Sequence, residues 1–240
     1  MGVIAGVNAV NDGLIFTIDA GNQFCYPGTG LTYNSLYSGI GATLVNGTGF
    51  STSNGGSFFF DGTNDYMLVN HTQTSILQYS VSMWIKFTSA GAFFNNRGLT
   101  GTNGVSYTLQ MEGSGALGYI PVDSDGIIAA VYTSGINFIN NTWRHLVTTM
   151  NVPNGTTLTS GNFTSYLKCY VNGAEVPLSS FSSMNVPAHP TTGRESLQIG
   201  RSFAWGSYIT GNIANIQVYN LQLSAAEVLK NYNSTKRRYV

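Results

Sequence analysis

The clearest pattern in the chain is the alternation over residues 80–87. Val81, Met83, Ile85 and Phe87 fall on one face, and Ser82, Trp84 and Lys86 on the other. A period of two marks a β-strand with one face turned to a core. Comparable short runs recur at 14–19, 57–61, 66–69, 107–111, 127–132, 143–150, 166–171, 197–199 and 213–219, separated by Gly, Asn and Ser. That rhythm predicts an all-β protein, an antiparallel two-sheet sandwich of the jelly-roll kind. Asn172-Gly173 supplies the residue pair a type I′ hairpin turn needs. Gly62-Thr-Asn-Asp65 reads as a tight reversal between two strands.

The last run alternates Ala214, Ile216 and Val218 against Asn215, Gln217 and Tyr219, then passes into a helix start. Ser224 stands as N-cap with Glu227 three residues on, the spacing of a capping box. Leu223 and Val228 occupy the positions of a hydrophobic staple. One short C-terminal helix is therefore predicted after the strands. Residues 151–164 and 179–196 are rich in turn formers and read as exposed loops. With no internal repeat and no long linker, residues 1–240 read as a single domain, its core over 12–232 and a basic tail over 233–240.

Composition changes this picture in one respect. Charged residues make up 8% of the 240, against about 25% in ordinary soluble proteins. The surface must be built from amides, hydroxyls, glycine and tyrosine, which suits packing into a large assembly or meeting sugars. The formal net charge is zero, so no phosphate-neutralising surface is visible and a nucleic-acid partner is not expected. No apolar run approaches the roughly 20 residues that span a bilayer, and the N-terminus lacks the basic start of a signal peptide. Neither a membrane nor a secretion signal is expected. Cys25 and Cys169 are too few for a disulfide framework and read as free buried thiols.

Candidate chemistry is sparse. Glycoside hydrolysis needs two carboxylates about 5–9.5 Å apart across a cleft, whereas Glu112, Glu175, Glu195 and Glu227 stand isolated in the sequence. Asp123 and Asp125 alternate, but Ser124 and Gly126 favour a turn there. His145 lies in a strand and reads as a packed histidine; no nucleophile elbow or phosphate loop occurs. No enzyme is expected. Calcium is the one cofactor the residues allow, through Asp61, Asn64 and Asp65. The other reading of those three is a turn that holds its own backbone. Trp205 and Tyr208 are the loop aromatics placed to stack on a sugar, or else to pack over the core edge. Lys236, Arg237 and Arg238 form either a solvated tail or a contact for an acidic partner.

Several segments, read in order, resemble the laminin G-like branch of the concanavalin A-like lectin/glucanase superfamily. Phe60-Asp-Gly-Thr-Asn-Asp-Tyr66 is similar to its Phe-Asp-Gly…Asp-Tyr element, and Val81-Ser-Met-Trp-Ile-Lys86 to its Trp-bearing strand. Trp143-Arg-His-Leu-Val147 is similar to its Trp-x-His-Val strand, and Leu167-Lys-Cys-Tyr-Val-Asn-Gly173 to its Leu-Tyr-Val-Asn-Gly hairpin. Leu197-Gln-Ile-Gly-Arg201 and Leu223-Ser-Ala-Ala-Glu227 complete the set. The opening, from Asp12-Gly-Leu through Asp19-Ala-Gly-Asn to Tyr26-Pro-Gly-Thr-Gly30, resembles that of laminin G-like virion proteins of tailed bacteriophages. The usual Trp-x-Asp-Leu-Ser-Gly continuation is replaced by Tyr33-Asn-Ser-Leu-Tyr-Ser38, which loses an acid.

The resemblance implies a concanavalin A-like jelly roll located in a virion, in multiple copies or as a homo-oligomer. Its role would be non-catalytic, as a capsid decoration or cement subunit, or as a fibre or tail component. Its partners would be the major capsid protein or other virion proteins, and host-surface glycans. The alternative is a lectin-like carbohydrate-binding adhesin; a glucanase-like hydrolase ranks below both.

Overall fold

The structure, a computed structural model, describes residues 9–35, 38–71, 77–95, 106–122, 131–180, 185–187, 196–202 and 206–240. Two antiparallel sheets stack face to face. The eight-stranded sheet runs in the order Ala174–Val176, Leu167–Val171, Arg144–Asn151, Gln78–Phe87, Thr210–Tyr219, Ser57–Asp61, Gly49–Ser51, with Leu14–Ile18 also paired to Thr210–Tyr219. The nine-stranded sheet runs Leu178–Ser180, Val131–Thr133, Leu117–Val122, Ser106–Met111, Gly91–Asn95, Leu197–Ile199, Tyr66–Val69, Gly41–Val45, Thr32–Asn34. Two short ribbons, Thr157–Thr159 with Asn185–Pro187 and Arg201–Ser202 with Ser207–Tyr208, complete the described strands. This is the predicted sandwich.

The core between the sheets is aromatic-rich: Phe16, Phe58, Phe60, Phe87, Phe93 and Phe94 are all buried in one cluster with Val81, Met83 and Ile85. Burying side chains of this size, at about 25 cal/mol per Å² of apolar surface, is the main force holding the layers together. The hairpin at Asn172-Gly173 forms as expected, with φ of 53° and 83° and Val171 opposite Ala174. The helix Ala225–Thr235 carries the full capping box: the Glu227 amide donates to Ser224 Oγ and the Ser224 amide to Glu227 Oε2. Leu223 and Val228 pack in one cluster beneath it.

Four sequence expectations change. The reversal at 62–65 joins no hairpin, because Ser57–Asp61 and Tyr66–Val69 belong to different sheets; the turn is a corner between layers. The alternation in Thr210–Tyr219 is interrupted. A register shift between Ala214 and Gln217, with Asn215 at φ 48°, makes a β-bulge. Ala214 therefore packs outward beside Trp84, while Ile213, Ile216 and Val218 face the core. Segment 151–164 is not simply an exposed loop: Val152, Leu158 and Phe163 are buried in the core. Of 179–196, residues 181–184 and 188–195 lie outside the described residues.

The fourth correction concerns the C-terminus. Residues 233–240 are not a solvated tail. After the helix a 3₁₀ turn, Lys236–Arg238, brings Tyr239 down onto the outer face of the eight-stranded sheet. Its ring stacks on Trp84 at 4.4 Å and meets Trp143 at 4.9 Å. Hence both faces of Gln78–Phe87 are covered: Trp84 and Ser82, on the face away from the core between the sheets, are buried.

Candidate functional site

A groove of about 370 Å³ lies at one edge of the sandwich among the described residues. One wall comes from the segment after Leu14–Ile18 and includes Gly21, Gln23, Tyr26 and Gly28. The other comes from Gly49–Ser51 and the turn beyond it, and includes Phe50, Thr52, Gly55 and Gly56.

Local chemistry shapes the first wall. Asp19 Oδ1 accepts from the Gly21 amide and Asn22 Oδ1 from the Phe24 amide, so two side chains replace backbone partners in consecutive turns. The Asn22 carbonyl then accepts from the amides of Cys25 and Tyr26. Tyr26 donates its hydroxyl to the Gly30 carbonyl at 3.0 Å, which closes the loop. Its ring meets Phe50 edge-on at 5.3 Å and Phe58 at 5.2 Å. Phe50 is half-buried, presenting part of its ring to the groove, and Phe24, next to Gln23 in the chain, is 81% exposed. Burial pushes the Tyr26 phenol up, so it stays a neutral donor.

The walls meet through glycine. A Cβ on Gly21 would collide with the Gly55 carbonyl oxygen, and one on Gly56 would lie 2.6 Å from the Gly21 Cα. Such an approach is open to glycine alone. None of the lining residues carries a charge at neutral pH. The groove therefore offers an aromatic edge, an amide from Gln23, a hydroxyl from Thr52 and exposed backbone.

The residues singled out from the sequence fall elsewhere. Asp61, Asn64 and Asp65 do come together, but in the corner between the sheets. Asp61 Oδ1 accepts from the amides of Thr63 (2.8 Å) and Asn64 (3.3 Å), and Asp65 Oδ2 from the Asp61 amide (3.2 Å). Those amide bonds, the Thr63 one foremost, hold the Asp61 carboxyl below its ordinary range. Burial first, then the Asp61 charge, pushes the Asp65 carboxyl up. Asp61 and Asp65 thus spend carboxylate oxygens on the backbone of their own turn, the bonding of a self-held reversal.

Trp205 lies outside the described residues. Tyr208 is half-buried in the ribbon with Arg201–Ser202 and is not among the groove residues. Lys236 donates to Asn233 Oδ1 and lies over the Tyr232 ring, Arg237 is exposed, and Arg238 turns inward. Arg238 makes a two-pronged ion pair with Asp19, at 2.7 and 2.9 Å, so it is no free anchor for a partner. His145 is buried, bonded to Ser82 Oγ at 3.0 Å, and burial pushes its imidazole down to about 3. Cys25 and Cys169 are buried and free, and burial pushes the Cys169 thiol up.

The groove residues Gln23, Tyr26, Phe50 and Thr52 were not among those expectations. A signal existed: Tyr26-Pro-Gly28 and Gly55-Gly56 each set glycine near an aromatic residue, as close backbone approach to a ligand requires. The sequence did not show that the two segments meet.

The fold is a two-layer antiparallel β-sandwich. The chain belongs to the concanavalin A-like lectin/glucanases superfamily, whose family model matches residues 61–229. No curated protein matches it by sequence. Its fold is similar to the binding domain of Paraclostridial Mosquitocidal Protein 1, with 15% identity and a TM-score of 0.65 over 92% of this chain and 52% of that one. It is also similar to the botulinum neurotoxin serotype D ligand binding domain in complex with N-acetylneuraminic acid: 16% identity, TM-score 0.62, 93% of this chain and 51% of that one. The third is domain 4 of AbnA, an extracellular GH43 arabinanase from Geobacillus stearothermophilus, in complex with arabinotriose. There identity is 16% and the TM-score 0.60, over 91% of this chain and 98% of that one. The chain thus spans about half the length of the two toxin domains.

Proposed function

We propose that the chain is a non-catalytic carbohydrate-binding module, and that the groove edged by Phe50 takes an uncharged glycan. The observation that carries this reading is the groove's lining. An aromatic edge offers the C–H face of a sugar ring an apolar surface, while Gln23, Thr52 and backbone groups offer hydrogen bonds to hydroxyls. No cation lines it to offset the desolvation of a sugar carboxylate. Of the two glycans held by the similar folds, arabinotriose is neutral and N-acetylneuraminic acid is an acid. The chemistry here favours the neutral class.

The test is a panel of neutral and sialylated oligosaccharides with the purified chain, followed by calorimetry on the best neutral ligand. Neutral binding is expected, with Phe50→Ala weakening it about tenfold, equivalent to about 1.4 kcal/mol. The reading fails if no neutral sugar binds at millimolar concentration, or if Phe50→Ala leaves affinity unchanged. Release of reducing ends from a bound polysaccharide would overturn the non-catalytic part.

A second reading concerns where the module works. The resemblance of Asp12–Gly30 to the opening of phage virion proteins, and the 8% charged content, support a place on a tailed-phage particle as a decoration, fibre or tail subunit in several copies. Weak single-site sugar contacts would then sum through effective concentration. Co-sedimentation with purified particles tests it; absence from the particle sinks it.

A further inference from the structure

We infer that Arg238 is a positioning residue for the groove, and that glycan binding is coupled to the docking of residues 236–240. The coupling rests on the proposed glycan site; the riveting of the two walls by Arg238 does not.

The groove has two walls from segments about thirty residues apart in the chain, and one side chain from the C-terminus touches both. The Arg238 guanidinium donates to both oxygens of Asp19, which itself holds the Gly21 amide of the first wall. Its Nη2 also donates to the Gly55 carbonyl of the second wall, at 2.6 Å. In return the Asn54 amide donates to the Arg238 carbonyl at 3.0 Å, and Asn54 Oδ1 accepts from the Trp143 indole. Asn215, at the β-bulge, adds a bond to Asp19 Oδ2 at 3.3 Å. The ion pair is shielded, with side-chain exposures of 27% and 19%. A planar guanidinium can hold a carboxylate by two prongs and still reach a carbonyl, which an ammonium cannot do in one position.

Across the two walls the loops meet through the Tyr26 ring on Phe50 and through glycine backbone. Gly21 packs directly on Gly55 and Gly56, so backbone contact replaces the side chains that would otherwise fix their spacing. Arg238 sets that spacing from behind. A ligand lying along the groove across both walls needs them at one separation, so a latch that fixes it beforehand removes an ordering cost from binding. By reciprocity the ligand must then tighten the latch by the same factor.

The experiment compares the full chain with Arg238→Ala and Arg238→Lys. It measures amide hydrogen exchange and affinity for the neutral oligosaccharide selected above. Arg238→Ala should speed exchange across residues 20–28 and 52–56 while leaving strands Gln78–Phe87 and Arg144–Asn151 protected. Affinity should fall about tenfold or more, and Arg238→Lys should recover part of it. Ligand added to the natural chain should slow exchange at residues 236–240. The inference is overturned if both loops exchange at the natural rate in Arg238→Ala, or if affinity is unchanged while they loosen. Should Arg238→Ala not fold, Arg238→Lys carries the same two readouts. Should the natural chain bind no sugar, the glycan reading fails, and loop exchange alone still decides whether Arg238 holds the walls.

Discussion

Trp84, Trp143 and Tyr239 on the outer face of the eight-stranded sheet are 0%, 8% and 6% exposed. Both indole N–H groups are bonded, to Thr235 Oγ1 and to Asn54 Oδ1. Around the groove the same residue class is used differently. Phe50 keeps part of its ring open, Phe24 is 81% exposed, and the neighbours are glycines with no bulk to cover them. One aromatic set seals a helix onto a sheet, and the other frames an opening. The difference lies in what the chain supplies on top: Tyr232, Thr235 and Tyr239 over the first set, small residues beside the second. Aromatic content alone does not mark a binding surface; aromatic residues left uncovered beside glycine do.

Four substitutions sharpen that contrast, and the largest effect is expected at Trp84. Trp84→Ala removes the centre of the sealed cluster and the indole bond to Thr235 Oγ1, so a loss of about 3–5 kcal/mol is expected. Urea unfolding measures it. A loss below about 1 kcal/mol would mean the helix contributes little to the sandwich, and the sealed set would no longer differ from the open one.

Acid should strike the sealed region through His145. Its folded-state value is pushed down to about 3 by burial, while the unfolded chain titrates near 6.5. Between those values the unfolded state binds the extra proton, so stability is full above pH 6.5. It should fall by about 1.4 kcal/mol per pH unit as pH drops toward 3. His145→Gln keeps a hydrogen-bonding partner for Ser82 without the charge, and should flatten this part of the acid profile. Urea midpoints at three pH values between 7 and 4 check it; parallel profiles for both proteins would show that His145 is not the cause.

At the open set the expectation is inverted. Phe50→Ala should cost about tenfold in glycan affinity, as set out above, and less stability than Trp84→Ala, because its ring is half-buried and packs at the core's edge. If Phe50→Ala destabilised the fold as much as Trp84→Ala, Phe50 would be core and the groove would lose its aromatic edge.

These contrasts also mark where the sequence was legible. The long strands such as Gln78–Phe87 and Arg144–Asn151, the Asn172-Gly173 hairpin and the Ser224 capping box were readable because each rests on local chemistry, whereas Gly41–Val45, Gly91–Asn95 and Leu117–Val122 were missed. Sheet membership was not readable. Nothing in Gly62–Asp65 tells a corner from a hairpin, since both need the same turn-forming residues. The bulge at Asn215 escaped because apolar residues at 214, 216 and 218 imitate an unbroken strand, and the shift is visible only against the partner strand. Trp84 reads as structural, but what covers it does not show in the sequence, because the cover arrives from position 239, over 150 residues away. The groove stayed hidden for the same reason: residues 20–28 and 50–56 are ordinary turns until the fold places them together.

The smallest expected effect tests whether the helix itself, rather than its aromatic seal, carries the C-terminal docking. Ser224→Ala removes the side chain that accepts from the Glu227 amide, and frees Glu227 from the bonds that hold its carboxyl below its ordinary range. Loss of an N-cap costs about 1 kcal/mol. Leu223 and Val228 still pack together, and Tyr239 still stacks on Trp84, so the loss should stop there. Affinity for the neutral glycan should not change, because Arg238 is held by Asp19 and the loops rather than by the helix start. Urea unfolding and calorimetry on Ser224→Ala read both quantities. A fall in affinity with the cap would mean that the helix end sets the groove, and that the sealed and open regions work as one unit.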